Sequence, residues 1–214
     1  MVARMRKPKL LDLFCGVGGA SMGYYRAGFE VEGVDIKPQP HYPFKFYQAD
    51  ALEFPLEGYA AYHASPPCQY YSMMQNIHKN KNKHPDLIPP VREILLKIQK
   101  PFVIENVYGS PLKGHLMLCG TMFGLKIRKH RYFETNFPMP LFAPRVCNHK
   151  QVYDHYHGGE EQRGEKEKLA EILDIDWMVG NYRSEIRQAI PPAYTEYIGK
   201  YLMEFLVARK KDKE

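Results

Sequence analysis

The feature that most constrains this chain is an alternation. Short apolar runs are separated by helical stretches, and a chemically useful side chain stands at the end of nearly every run. Residues 9–14 (KLLDLF) predict a buried strand. A glycine-rich turn with Gly16, Gly18 and Gly19 follows, then a helix over 20–27 that Gly28 is placed to end in a left-handed cap. Further strands are expected over 29–35, 44–48, 60–64, 102–106 and 131–136. Helices are expected over 89–100, where Val91, Ile94, Leu95 and Ile98 share one face, and over 194–208. This pattern argues for an α/β fold, doubly wound around a mostly parallel sheet. Ligands of such sheets sit beyond the carboxyl ends of the strands, and Asp35, Asp50, Cys68 and Glu105 all fall there.

The 214 residues suffice for one domain with a small appendage, and 44% hydrophobic and 25% charged residues are ordinary for a soluble protein. No apolar run is long enough to span a bilayer, and the basic stretch 1–8 leads into no secretory signal. A cytoplasmic monomer with no membrane partner is expected. The scattered Cys15, Cys68, Cys119 and Cys147 then read as thiols in a reducing compartment. A net charge of +6 and a pI near 9.0 favour an acidic partner, nucleic acid first. After residue 136 the pattern changes: Pro138, Pro140 and Pro144, then Gly158, Gly159 and the charged run 160–168. The expected organisation is a catalytic and cofactor-binding part (1–136), a small irregular lobe (137–176) and a C-terminal return (177–214).

The turn Phe14-Cys15-Gly16-Val17-Gly18-Gly19 lets a ligand approach the backbone closely. A dinucleotide fingerprint would place glycine or alanine at position 21, where Ser21 stands, so a smaller adenosine ligand is favoured over a pyrophosphate. Asp35, followed by Ile36, is placed to take ribose hydroxyls. Asp50, followed by Ala51, is placed to accept from an adenine amino group. An isolated aspartate is more often a cap or a surface ion pair, but the ordered set at successive strand ends points to S-adenosylmethionine. Pro66-Pro67-Cys68-Gln69 is the sharpest feature: two prolines fix the backbone ahead of one cysteine, as a nucleophile requires. Cys15, Cys119 and Cys147 fit a buried structural role better. Glu105 ends a strongly apolar strand, where desolvation would help it carry a proton. Arg128, Lys129, His130 and Arg131 form a basic cluster, in isolation a solvated face. Cys147, His149, His155 and His157 have spacings a zinc ion accepts, but with one cysteine among them they read as polar loop residues, and no metal is expected.

PPCQ with Ser72 after it, Glu105-Asn106-Val107, the FCGVGG turn and HRYF after a basic run occur in the order seen in DNA (cytosine-5) methyltransferases. Gln188-Ala189-Ile190-Pro191-Pro192 resembles that family's last cofactor motif. The resemblance covers 10–137 and 184–199, and the short length is similar to compact phage-type members, which act in the host cytoplasm. It implies a Rossmann-like methyltransferase fold with a small target-recognition lobe. S-adenosylmethionine would be held by Phe14, Gly16, Gly18, Gly19, Asp35, Ile36, Asp50, Ala51, Pro66, Gln188, Ala189 and Ile190. Cys68 would attack carbon 6 of a flipped-out cytosine, Glu105 would act at ring nitrogen 3, and Arg131 would contact the base carbonyl and lower the thiol pKa. Residues 69–86, with Tyr70, Tyr71, His78, Lys79, Lys81, Lys83 and His84, resemble the family's mobile active-site loop, with lysines for phosphates.

The match has departures. Lys129 stands where the family usually has a first arginine. Arg187-Gln188 replaces the usual Gly-Asn, and an arginine there would also suit a modified donor with an extra negative group. Trp177-Met178 is at best a remnant of the penultimate motif. The rival readings are a tRNA cytosine-5 methyltransferase, a non-catalytic binding protein of the same fold, and a nicotinamide oxidoreductase, against which Ser21 counts. So small a lobe implies short or relaxed site specificity.

Overall fold

The computed structural model describes residues 6–71, 84–140, 144–150, 153–154, 165–178 and 183–211 of the chain. The apolar runs form β1 (Lys9–Leu13), β2 (Glu30–Asp35), β3 (Lys45–Gln48), β4 (Ala61–Ala64) and β5 (Phe102–Asn106). The expected sixth run follows three elements that periodicity did not reveal. These are β6 (Leu116–Leu118), a short 3-10 helix (Gly120–Phe123) and β7 (Ile127–Arg128). The run itself is β8 (Arg131–Thr135), and β9 (Tyr153–Asp154) pairs with β7 in a small separate ribbon.

The main sheet has seven strands in the order β3-β2-β1-β4-β5-β8-β6. Neighbours from β3 through β5 run parallel, and β8 runs antiparallel to both β5 and β6. The fold is therefore the expected doubly wound α/β sheet. Strand order reverses between β1 and β4, which opens a crevice beyond the carboxyl ends of those strands.

Side chains of the buried strands alternate between two cores. Leu10, Val31, Ala61, Val103 and Phe133 face α1 (Gly19–Arg26) and α5 (Pro192–Lys211). Leu11, Leu13, Val34, Tyr62, Ala64 and Ile104 face α2 (Ile88–Ile98), whose Ile88, Val91 and Leu95 are fully buried. Prolines in the first turn of α2 occupy positions whose N–H groups need no helical partner. α5 is clasped to α1 by Thr195, whose hydroxyl donates to the Ala20 carbonyl at 2.8 Å. No helix among the described residues is long and apolar enough to cross a membrane.

A third core joins distant parts of the chain. The segment expected to be irregular contains α3 (Glu165–Leu173), in which Leu169, Ala170 and Leu173 share one face. Together with Ile175, Met178, and Ile186 and Ala189 at α4 (Arg183–Gln188), they pack around Val17 and Ile127. The end of the expected lobe is thus built onto the glycine turn.

The antiparallel strand β8 is tied to α2 by a buried ion pair. Arg92 donates from Nε and Nη2 to the two carboxylate oxygens of Glu134, at 2.8 and 2.6 Å. Its Nη2 also reaches the Pro111 carbonyl, and the Lys113 amide donates to the same carboxylate, both at 2.8 Å. Side-chain exposures of 11% and 6% mean that removing one partner strands a desolvated charge. Arg92→Ala is expected to lose about 3–5 kcal/mol of stability, read from urea unfolding. The paired change Arg92→Met with Glu134→Leu should recover most of that loss; equal destabilisation by both would contradict this account.

Candidate active site

The crevice between β1 and β4 is lined first by the glycine turn. Phe14 leaves β1 with φ +58°, unusual for a non-glycine residue, and Cys15 remains hydrogen-bonded to the Val34 carbonyl at 3.0 Å. Gly18, at φ +86°, caps α1 without a side-chain hydrogen bond, so the first amides of the helix are left for other acceptors. At Gly19 a Cβ would lie 2.2 Å from the Ile190 carbonyl oxygen. Only glycine lets the Ala189-Ile190 segment close on the turn, and this brings the two halves of the expected cofactor site together. Trp177, weakly legible in the sequence, seals the same turn by donating from Nε1 to the Val17 carbonyl at 2.9 Å.

Asp35 stands at the end of β2 and accepts from the Gly16 amide at 3.0 Å and the Lys37 amide at 2.9 Å. Each of its oxygens keeps a lone pair for a further donor. Ile36 beside it is 65% exposed, an apolar face held open next to a carboxylate. Asp50 is exposed and accepts from the Leu52 amide at 2.9 Å, while Ala51 and Pro66 are buried and Gln188 is exposed.

Beyond β4, Pro67 sets the backbone and Cys68 opens a short 3-10 helix (Cys68–Tyr70). The Pro66 carbonyl accepts from Asn106 Nδ2 at 2.9 Å, which moors the Cys68 loop to the end of β5. Glu105, from β5, is 5% exposed and meets Arg131 of β8, with Nε and Oε1 3.1 Å apart. The antiparallel β5–β8 pairing makes this contact possible. Cys68 lies within the field of both. Burial pushes its thiol above the ordinary value, Arg131 pulls it down, and Glu105 pushes it up. Burial likewise raises Glu105, against the pull of Arg131 and a hydrogen bond from Ser65. The three residues expected to do the chemistry are therefore one electrostatic unit. Residues 72–83, including His78, Lys79, Lys81 and Lys83, lie outside the described residues.

Several members of the site escaped the sequence reading. Lys129 is 1% exposed rather than solvated; its Nζ donates to the Arg187 carbonyl at 2.6 Å. Burial, then the charge of Arg131, holds its pKa well below the ordinary lysine value. Behind the turn, buried Asp12 accepts from Ser21, and the Ser21 hydroxyl also meets the Tyr42 hydroxyl at 2.7 Å. Buried His63 sits between the Tyr24 hydroxyl at Nδ1, 2.9 Å, and the Ser65 hydroxyl at Nε2, 2.8 Å. Burial holds His63 neutral, with a pKa of about 3. Separately, Cys119 and His130 converge on Cys147 and His149. By spacing alone those last two group with His155 and His157, which lie outside the described residues.

No protein-family model matches the sequence, and no curated protein matches it. Solved structures do match the fold. The Entamoeba histolytica methyltransferase EhMeth superposes with a TM-score of 0.63 at 13% identity, covering 94% of this chain and 99% of that one. A mutant of Spodoptera frugiperda DNMT2 gives 0.59 at 12% identity, over 94% and 100% of the two chains. A DNA modification methyltransferase encoded within an E. coli prophage aligns over 59% of this chain at 21% identity, with a TM-score of 0.47. The present chain covers 45% of that protein's length. The architecture is thus the Rossmann-like methyltransferase fold, nearly end to end.

Asp12 gives the site a testable pH signature. Burial raises its pKa from 3.8 to about 7, with the Ser21 hydrogen bond opposing and the charges of Asp35 and Glu105 adding. Between those two values the folded chain keeps a proton that the unfolded chain has lost. Its contribution to stability is therefore full at low pH and lost as pH rises through about 7. Asp12→Asn should remove this slope. The stability difference between wild type and variant, from urea midpoints across that range, should shift against the wild type as pH rises; a flat difference would refute the assignment.

Proposed function

We propose that this chain is a DNA cytosine-5 methyltransferase that works through a covalent Cys68 adduct. The observation that carries this reading is the convergence of Cys68, Glu105 and Arg131 beside the glycine turn, at the point where strand order reverses.

The turn fits S-adenosylmethionine. Gly18 and the amides at the start of α1 suit its carboxylate, Asp35 has lone pairs for ribose hydroxyls, and exposed Ile36 offers an apolar face to adenine. When bound, S-adenosylmethionine supplies an electrophilic methyl group. The chain's own residues prepare the base to receive it. Carbon 5 of cytosine is a poor nucleophile until a thiolate adds to carbon 6 and makes the ring enamine-like. Cys68 is presented for that addition by Pro66 and Pro67, and Asn106 holds the Pro66 carbonyl in place. Glu105, whose pKa burial raises, would give a proton or a hydrogen bond to ring nitrogen 3 as negative charge develops. Arg131, paired with Glu105, would contact the base carbonyl, and its charge pulls the Cys68 thiol pKa down. Once carbon 5 carries the methyl group, solvent takes the carbon 5 proton, the freed electron pair re-forms the ring double bond, and Cys68 leaves as the thiolate. A base within a duplex cannot reach such a crevice, so the target must be flipped out. The positive net charge suits a phosphate backbone. Residues 137–176 are the part we assign to reading sequence; within α3, Leu169, Ala170 and Leu173 are committed to the third core.

Duplex DNA containing 5-fluorocytosine tests the mechanism, because fluorine cannot leave as a proton does. With S-adenosylmethionine present, wild type should form a denaturation-stable protein–DNA adduct. Cys68→Ala should form none while still binding the cofactor, and Glu105→Gln should slow trapping on the order of 10²–10⁴-fold. Because burial holds the Cys68 thiol above its ordinary value, the trapping rate should climb with pH from neutral into the alkaline range. Trapping by the alanine variant would disprove the nucleophile, and methyl transfer confined to tRNA in a parallel assay would disprove the DNA assignment.

A further inference from the structure

Away from the crevice, four potential metal ligands meet. Cys119 follows β6, His130 precedes β8, and Cys147 and His149 come from the segment after Pro144. Their ligand atoms all lie within 4.8 Å of one another. His149 Nε2 is 3.5 Å from Cys119 Sγ and 3.1 Å from His130 Nε2. A tetrahedral zinc ion, with bonds of about 2.3 Å to sulfur and 2.0–2.1 Å to nitrogen, sets two nitrogens roughly 3.3 Å apart and a sulfur–nitrogen pair roughly 3.6 Å apart. Both observed edges match that tetrahedron to within a few tenths of an ångström.

The surroundings support the same geometry. Thr121 donates its hydroxyl to Cys119 Sγ at 3.4 Å and accepts from the Asn148 amide at 3.2 Å. One threonine thus polarises a ligand sulfur and also holds the Cys147–His149 turn against it, the work of groups just outside a metal's ligands. Cys147 packs at the margin of the first core and Cys119 is fully buried, so the site is anchored on protein rather than on a free loop.

We propose that Cys119, His130, Cys147 and His149 form a structural zinc site that staples the start of the recognition lobe to the catalytic sheet. Four protein ligands leave no open position, so the ion is structural and not catalytic. Binding exchanges two thiol protons for one divalent ion, leaving a neutral centre of two thiolates and two imidazoles. The staple also reaches the chemistry. His130 precedes Arg131, and its carbonyl accepts from Arg131 Nη1 at 2.8 Å. Fixing the His130 ring therefore fixes the backbone from which the guanidinium is aimed.

The test uses untagged protein made without chelators. Elemental analysis should find about one zinc per chain, and cobalt added to the metal-free chain should give the intense absorption of a tetrahedral thiolate site. Cys147→Ser with His149→Ala should lower bound zinc at least tenfold, whereas His155→Ala with His157→Ala should retain it. Zinc removal should lower Tm. Absence of stoichiometric zinc together with no tetrahedral cobalt spectrum in wild type would overturn the site. So would a Cys119–Cys147 disulfide in freshly purified protein, or zinc lost with His155 and His157. The cobalt titration needs no variant, so misfolding of the double mutant would not hide the answer. Metal content is also independent of methyl transfer, so this proposal and the catalytic reading can fail separately.

Discussion

The contact on which the rest of this structure turns is the buried pair between Glu105 of β5 and Arg131 of β8. Two desolvated charges are costly unless each finds its partner, so the pair demands that an antiparallel strand lie beside the last parallel one. That demand shapes the sheet. β8 returns against β5, β6 pairs outside it, and Arg92 with Glu134 locks the same strand to α2. The backbone work falls on Asn106, which ties the end of β5 to the Cys68 loop. Cys68, Glu105 and Arg131 thus come from the ends of neighbouring strands through contacts that also hold the sheet together.

The second constraint is closure of the chain on its own beginning. The glycine turn is incomplete as β1 and α1 leave it: Gly19 has room for no side chain because Ile190 lies against it, Val17 is capped by Trp177, and Ala20 is held by Thr195. Residues more than 150 positions apart in sequence therefore build one wall, as the Trp177–Val17 separation of 160 shows. The cooperativity of this fold follows from that arrangement, since the turn cannot keep its shape if the C-terminal return is lost.

The strands and the polar residues at their ends were largely legible because buried parallel strands read as apolar runs, and the polar residue ending each run is conspicuous. KLLDLF, FVIEN and the segment before PPCQ needed no partner to be recognised. What stayed hidden was whatever depends on pairing. The two-residue β7 and three-residue β6 carry too few positions to show a period. Lys129 looked like part of a solvated cluster, and only the packing of Tyr194 and Arg187 around it reveals a buried amine. Asp12 and His63 sit inside apolar runs, and their meeting with Ser21, Tyr24 and Ser65 depends on strand register: Asp12 lies opposite His63 across β1 and β4. That Cys119 and His130 meet Cys147 and His149 is not evident from spacing either, because the residues that come together lie 19 and 30 positions apart.

The buried polar row also shapes the field at the site. Tyr24, His63, Ser65, Glu105 and Arg131 form a connected chain of hydrogen bonds, but His63 at about 3 stays neutral and adds no positive charge. Burial holds the pKa of Lys129 well below the ordinary lysine value, while Arg131 is the cation that pairs directly with Glu105. Burial raises both the Cys68 thiol and the Glu105 carboxyl, and the charge of Arg131 opposes both rises. The charge of Glu105 also raises the Cys68 thiol, so the titrations of the two groups are coupled. A proton on Glu105 would remove that charge and ease the ionisation of Cys68. In the proposed reaction the two roles therefore support one another, because the carboxyl that can donate to a ring nitrogen is the form beside which the thiol ionises more readily.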